Sequence, residues 1–593
     1  MKKTHFLQTL YLQKPLILIL LIAALSTLPW LGLGDFYTKG EPREAALAIS
    51  MIEKGEWIIP SNYADEFAYK PPLNHWLISG FSLALNGGEV TPFTSRLPSA
   101  LAFIAMIGVS FMFFARRRPI LESFIACLIV ITCFEIHRAA MTTRVDMLLT
   151  FFLVAGTIQL YTWSEKRRFG QLVSAWILLS MATLVKGPVG IVLPCLVFGT
   201  LLLTQKVNFF RAVGKCVIVA LPALLIPLVW YYAAYQVQGD AFFDKVFAEN
   251  FGRFLRMDTE TLGTDYNLGV ENPWCYYPFI LLAGFLPWTI LLVISLFFIK
   301  YTKPQGGFKA ICIKCFNKIM AMDKVLLFSF IAIVIPLLFF TIPASKRSTY
   351  IMLVYPFISI FIARFFIYLA EMKPKAVRIS TLILVGICVL MVLVVGLAYA
   401  GIINIEEISH SFSKRERTLR DIKIFSDLFQ NPGWIGLFGI TILILAIGNS
   451  IYLLKRKMNV KVLMAGFGVM LAINIFMDSF LLPTFKNTYS PRHFADYISD
   501  KYELKDNTYV MNNLLEYKNL YGLNFYLGNN FKNFEKEQPD SGFFIIMIES
   551  IDDIKEKYKE KYEFIQLESS DKFNENKDHM LLFKLKRKQM LAN

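Results

Sequence analysis

Runs of about twenty apolar residues recur along most of the chain, and no other feature constrains its fold as strongly. A bilayer core of roughly 30 Å takes roughly 20 residues of helix, and backbone that crosses lipid must satisfy its hydrogen bonds within each crossing segment. Such runs occupy 15–33, 95–115, 119–136, 145–163, 171–185, 187–204 and 216–234, then 276–299, 325–342, 350–370, 379–400, 434–454 and 462–482. They predict a polytopic α-helical membrane protein of about 13 transmembrane helices. Composition agrees. Of 593 residues, 55% are hydrophobic and 18% charged, where soluble domains carry about a quarter charged. Mean hydropathy is +0.49. The first run is long, interrupted by Pro29, and lacks a small-x-small cleavage site, so it reads as a span and not a signal peptide.

Lys and Arg in the short loops set the orientation. Lys2, Lys3 and Lys14 precede the first span. Arg116–Arg117–Arg118, Lys166–Arg167–Arg168, Lys206/Arg211/Lys215, Lys300 through Lys324, Lys373/Lys375/Arg378 and Lys455–Arg456–Lys457 then fill every second loop. All fall on the cytoplasmic side if the N-terminus is inside, and an odd span count places the C-terminus outside. The net charge of +16 is thus mostly topology. It forms no single footprint of the kind nucleic acid needs, so no nucleic-acid partner is expected. The expected location is the cytoplasmic (inner) membrane, with the working face and tail extracytoplasmic. Cys127, Cys133, Cys195, Cys216 and Cys388 lie in apolar runs as small hydrophobes. Cys312 and Cys315 form a lone CxxC with no second pair, which does not predict zinc.

Four outward segments exceed plain connectors: 34–75, 235–275, PASKRST at 343–349, and 401–432. In the first, REAALAISMIEK (43–54) has apolar residues at helical spacing and predicts an amphipathic helix lying on the membrane surface. The division expected is a transmembrane unit over 1–482 and an extracytoplasmic α/β domain over 483–593. Short apolar strands at 508–511, 543–548, 562–567 and 579–585 alternate there with helical patterns at 491–504, 512–520 and 551–561.

Ionisable residues gather at outer ends of spans and in the outward loops: Glu41, Arg43, Glu44, Lys70, Arg144, Asp146, Lys186, Arg253, Lys346 and Arg347. A few carboxylates among more cations suit transfer of a sugar from a lipid phosphate. Cations bind the phosphate and stabilise it as leaving group, and a carboxylate serves the acceptor as base. Bland readings stand beside this one. Arg43 and Glu44 fit a solvated helix end, Asp146 fits an N-terminal cap, Lys186 fits a snorkelling cation, and Lys346–Arg347 fit interfacial anchors. The Gly and Pro flanking Lys186 point instead to a helix break lining a cavity. His75 and His137 read as structural.

The chain also resembles the GT-C membrane glycosyltransferases that use polyprenyl-phosphate sugars, between the protein mannosyltransferases and the lipid A aminoarabinose transferases. GEPREAALAISMIEKGEWIIP, FAYKPPLNHW, RVDMLLTFF, LVKGPVGIVLP, ENFGRF, PWCYYPFILLAGFLPW and SKRSTYIMLVYP follow in that family's order over roughly 15–370. The resemblance implies an inverting transferase that moves a sugar from a polyprenyl-phosphate donor to lipid A, a lipid-linked glycan or a protein. It implies Glu41, Glu44 and Asp146 as the catalytic acids. Lys70, Lys186 and Arg253, with Arg43, Lys346 and Arg347, would hold the donor phosphate, and Tyr350 would line the carrier cavity. At three positions the chain departs from the pattern. Gly40 stands where the acidic pair has its first member, Tyr69 where Glu precedes Lys-Pro-Pro, and Asn250 where His is usual. The last two remove potential ligands, so no tightly bound metal or cofactor is expected. A transporter or flippase is the competing class. It would place charges at span midpoints and show internal repeats, and neither is seen in the sequence.

Overall fold

The computed structural model describes residues 13–64, 66–252, 271–300, 307–403, 416–511, 520–573 and 579–588. Several helix starts follow caps that the sequence carries. Thr91 closes a capping box with Thr94, and Pro92 takes the first position of Pro92–Ala115. Asp323 accepts from the amides of Val325 and Leu326, both at 3.1 Å, and opens Lys324–Thr341. Among the described residues, 9 helices are long and apolar enough to cross a membrane, or up to 11 if each of two bent pairs is one crossing. The chain is therefore a multi-pass membrane protein. The expected thirteen spans are reached only if the two shorter apolar helices, Pro15–Trp30 and Val189–Thr204, also cross.

The bent pairs differ from the continuous spans expected at 119–136 and 276–299. Ile120–Thr132 and Phe134–Ala140 meet at 66°, and Tyr276–Gly284 and Trp288–Ser295 at 106°. The two breaks lie against each other. The Phe134 amide donates to the Leu286 carbonyl at 3.0 Å, and the Trp288 indole donates to Thr132 Oγ1 at 2.9 Å. Each break thus satisfies backbone groups the other frees, as a low-dielectric surrounding requires. Within the bundle, rings of Phe113, Tyr161 and Phe328 from three different helices pack with centroids 4.4–5.6 Å apart.

The surface helix forms as Gly40–Glu53, but its surroundings are not those expected. It packs against a further helix, Leu73–Asn86, and under the C-terminal domain, with most of its residues buried by protein. Both its faces are covered, so its apolar stripe contacts side chains instead of lying on lipid.

After the last span the helical segment runs on to Thr488. The C-terminal part then forms a five-stranded mixed sheet. With the loop ribbon numbered β1 (Ser61–Asn62) and β2 (Glu66–Phe67), its strands are β3 (Thr508–Val510), β4 (Lys532–Asn533), β5 (Ser541–Met547), β6 (Tyr562–Ser569) and β7 (Met580–Arg587). Their order is β4-β3-β5-β7-β6, with β3 parallel to both neighbours and the other pairs antiparallel. Alternation in β5 builds two cores. Ile545 and Met547 cluster with Phe494 and Ile498 of helix Arg492–Lys501, while Phe544 and Ile546 cluster with Ile551 and Ile554 of helix Ile551–Tyr558. The helical pattern at 512–520 falls, but for Leu520, outside the described residues.

Candidate active site

Lys186 is the last residue of helix Phe169–Lys186, and Gly187 follows at φ +80 before Pro188 opens the next helix. A side chain at Gly187 would meet the Asn250 amide oxygen at 2.8 Å, so the turn needs glycine for both conformation and space. This break lets the Lys186 ammonium turn into a cavity of about 300 Å³. Apolar walls come from Leu149, Val189, Val192, Phe339 and Phe340, and the polar end includes Tyr69, Lys70, Lys186, Glu249, Asn250 and Tyr350. The helix break expected around Lys186 is present and lines a cavity.

Both lysines are backed by carboxylates. Lys186 Nζ donates to Asp146 Oδ1 at 2.5 Å and sits 4.7 Å from the centroid of the Tyr350 ring. Asp146 occupies the first turn of helix Val145–Lys166, one turn before the cavity-lining Leu149. Lys70 Nζ lies 3.5 Å from Glu44 Oε1, and His75 Nε2 contacts Glu44 Oε2 at 2.8 Å. Burial works against the Glu44 carboxylate, but Lys70 and His75 outweigh it and hold its pKa well below the usual range. Burial likewise opposes the Lys70 ammonium, and Glu44 more than compensates, raising its pKa. Arg43 ion-pairs with Glu66.

Glu41 is placed elsewhere. It is only 3% exposed, and although Glu44 and Asp146 do not line the cavity either, each of those pairs with a lysine that does, whereas Glu41 does not. Its carboxylate accepts from Arg96 Nε and Nη2 at 2.8 and 3.3 Å and from the Thr143 amide at 3.1 Å. Burial pushes its pKa up, but the Arg96 charge and hydrogen bond, helped by Lys486 and the Thr143 amide, outweigh that and leave it below the ordinary value. Arg96 also donates to the carbonyls of Leu31, Gly34 and Asp35 at 2.8, 2.5 and 3.2 Å. The pair ties the first outward loop to the bundle.

The missing acid at position 40 also has a structural counterpart. A Cβ on Gly40 would stand 2.5 Å from Arg144 Nη2, so this guanidinium occupies the space a side chain would take. Arg144 is exposed. Lys346 is buried, and its ammonium donates to the Asn272 and Ala344 carbonyls at 2.9 and 3.5 Å, which fastens two outward segments together. Arg347 is exposed. Arg253 lies outside the described residues.

Sequence reasoning missed Arg96, Glu66, Asp478 and the partner of His75. His137 Nε2 contacts Asp478 Oδ2 at 2.5 Å, so both histidines are buried and each meets a carboxylate. Among the described residues, no group of three or more His, Cys, Asp or Glu is arranged to hold a metal ion.

Comparisons with known proteins agree with the resemblance that the motifs carry. A family model for dolichyl-phosphate-mannose-protein mannosyltransferases matches residues 69–232. The undecaprenyl phosphate-alpha-4-amino-4-deoxy-L-arabinose arabinosyl transferase of Shewanella sediminis is 24% identical over 385 residues, 63% of this chain and 64% of that protein. The transferase of the same description from Yersinia enterocolitica is 24% identical over 372 residues, 61% of each chain. The chain thus spans less than two thirds of the length of these relatives. The crystal structure of ArnT from Cupriavidus metallidurans bound to undecaprenyl phosphate superposes with a TM-score of 0.67 at 17% identity, covering 96% of this chain and 97% of that one.

Proposed function

We propose that this chain is an inverting glycosyltransferase that moves a sugar from a polyprenyl-phosphate carrier to an acceptor at the outer face of the cytoplasmic membrane. The acceptor is lipid A, a lipid-linked glycan or a protein. One observation carries the reading. Two lysines, each backed by a buried carboxylate, stand at the polar end of an otherwise apolar cavity. That is the arrangement an isoprenoid chain ending in phosphate requires. The relatives named for undecaprenyl-phosphate sugars support it.

Lys70 and Lys186 bind the carrier phosphate, with Tyr350 beside Lys186. As the phosphate engages Lys186, Asp146 loses part of its countercharge and becomes a better base. Asp146 takes the proton of the acceptor hydroxyl, whose oxygen forms the new bond to the anomeric carbon from the face opposite the phosphate. The old carbon–oxygen bond breaks, and its electron pair stays on the phosphate, where the lysines stabilise the added charge. Glu44 holds Lys70 in place. Glu41 is committed to Arg96 and Thr143, so the catalytic role implied for it passes to Asp146.

Purified protein supplied with an undecaprenyl-phosphate sugar and lipid A or lipid-linked glycan should release undecaprenyl phosphate and yield a heavier acceptor by mass spectrometry. Release of the lipid without any sugar gained by lipid A, a lipid-linked glycan or a protein acceptor, each supplied in turn, would sink the transferase reading.

The reaction is proposed to need no tightly bound metal. Glu249 is the one carboxylate among the described residues that line the cavity, and a single carboxylate does not make a tight site for a hard cation. Turnover is therefore expected to survive a chelator. Full loss in EDTA, restored by added zinc or magnesium, would overturn this.

A further inference from the structure

The C-terminal domain grips the first outward loop at several points. Tyr521 donates its hydroxyl to Glu66 Oε2 at 2.6 Å, while Glu66 Oε1 pairs with Arg43. The Arg43 guanidinium also lies 5.4 Å from the centroid of the Tyr521 ring. Asn524 donates to Asn62 Oδ1 at 3.2 Å, and Asn62 in turn donates to the Arg43 carbonyl at 3.0 Å. Asn529 donates to the carbonyls of Ala46 and Ser61, both at 3.1 Å. The Ala64 amide donates to the Phe531 carbonyl at 3.2 Å, and the Tyr526 hydroxyl accepts from the Phe36 amide at 2.8 Å.

These contacts converge on one stretch of backbone. Helix Gly40–Glu53 carries Glu44, the partner of Lys70, and Arg43 stands beside it. Without the domain, that helix would lose its cover and the ribbon β1–β2 would lose its outer hydrogen bonds. The domain reaches Arg43 both through its side chain, by way of Glu66, and through its carbonyl, by way of Asn62.

We propose that the C-terminal domain is a positioning clamp for helix Gly40–Glu53, and that Tyr521, acting through Glu66 and Arg43, holds the turn that carries Glu44, the partner of the cavity-lining Lys70. Tyr521 is a positioning residue and does not touch the substrate. A lysine whose carboxylate partner is fixed on a clamped helix loses less side-chain freedom on binding phosphate than one whose partner moves, which is where the benefit to binding arises. The proposal rests on the donor-binding reading above.

The test uses the full chain in detergent, with undecaprenyl phosphate as the probe. Tyr521→Phe keeps the ring beside Tyr63, at 5.2 Å between centroids, and removes only the hydroxyl. It should leave thermal unfolding unchanged and weaken undecaprenyl phosphate binding about threefold to tenfold, as loss of a hydrogen bond to a charged group allows. In an Arg43→Ala background, Tyr521→Phe should change binding by less than about twofold, because the route to the phosphate is already cut. Amide hydrogen exchange across residues 40–53 should be faster in Tyr521→Phe with no lipid present.

Binding unchanged by Tyr521→Phe overturns the assignment, and so does a weakening of full size in the Arg43→Ala background. If the wild-type protein itself fails to bind undecaprenyl phosphate, the donor reading has failed, and exchange alone decides the clamp. Faster exchange in Tyr521→Phe then supports it, and wild-type exchange overturns it.

Discussion

Asp146→Asn folds, binds undecaprenyl phosphate, and loses at least about a hundredfold in turnover, the usual scale for removing a general base. The substitution is nearly isosteric, and the amide oxygen still accepts from Lys186, which donates at 2.5 Å in the native pair. Helix Val145–Lys166 therefore keeps its link to the end of helix Phe169–Lys186. The negative charge goes, so Lys186 is left with its full field for the phosphate, and carrier affinity should hold or rise. A loss confined to the rate, with binding intact, marks an interaction needed only in the transition state. Donor binding and single-turnover transfer in detergent separate the two. A variant that transfers at wild-type rate would show that the base lies elsewhere. Arg347→Ala is the informative companion, because a dead Arg347 variant beside an active Asp146→Asn would place the site at the loop 343–349.

Arg96→Ala carries the largest expected cost in stability, about 3–5 kcal/mol, because it leaves the Glu41 carboxylate buried without its cation. The three carbonyls of Leu31, Gly34 and Asp35 lose their donor at the same time. Replacing both members, Glu41→Leu with Arg96→Leu, should recover part of the loss, since the buried carboxylate then goes together with its cation and Lys486 is left as the neighbouring charge. Denaturant unfolding in detergent measures both. The pH dependence has a definite sign. Glu41 has a folded pKa below its unfolded one, so its contribution is fully present above the unfolded value of about 4.3 and lost as pH falls through the lower folded value. Wild-type stability of Arg96→Ala at neutral pH would mean that water reaches this carboxylate.

The membrane part was largely legible because each span carries its own signal, twenty apolar residues in a row. The turn after Lys186 was legible for a similar reason, since glycine and proline beside a cation mark a break locally. Of the two bent pairs, only Tyr276–Ser295 announces itself, through Pro287. The break at Cys133 has no glycine or proline and owes its stability to a partner more than a hundred and fifty residues away. Lys70, Lys186, Glu44 and Asp146 stand out in the sequence by residue type and place, but their pairing depends on contacts between separate elements. The commitment of Glu41 depends on Arg96, which reads in sequence as one arginine near the start of an apolar helix. Helix Gly40–Glu53 was visible in its periodicity, but what covers it was not, because the covering segment lies at the far end of the chain.

That distance has a consequence for how the molecule is made. The Tyr521 hydroxyl and Glu66 are 455 residues apart in sequence, and Asn529 and Ala46 are 483 apart. A chain emerging N-terminus first inserts its early spans long before residues 520–531 are synthesised. Helix Gly40–Glu53 must wait through nearly the whole of synthesis with one flank uncovered, so the outer site can close only as the last fifth of the polypeptide arrives. Release of a prematurely ended chain would leave the helices in the bilayer with that flank still open, a form that quality-control proteases can distinguish from the finished protein.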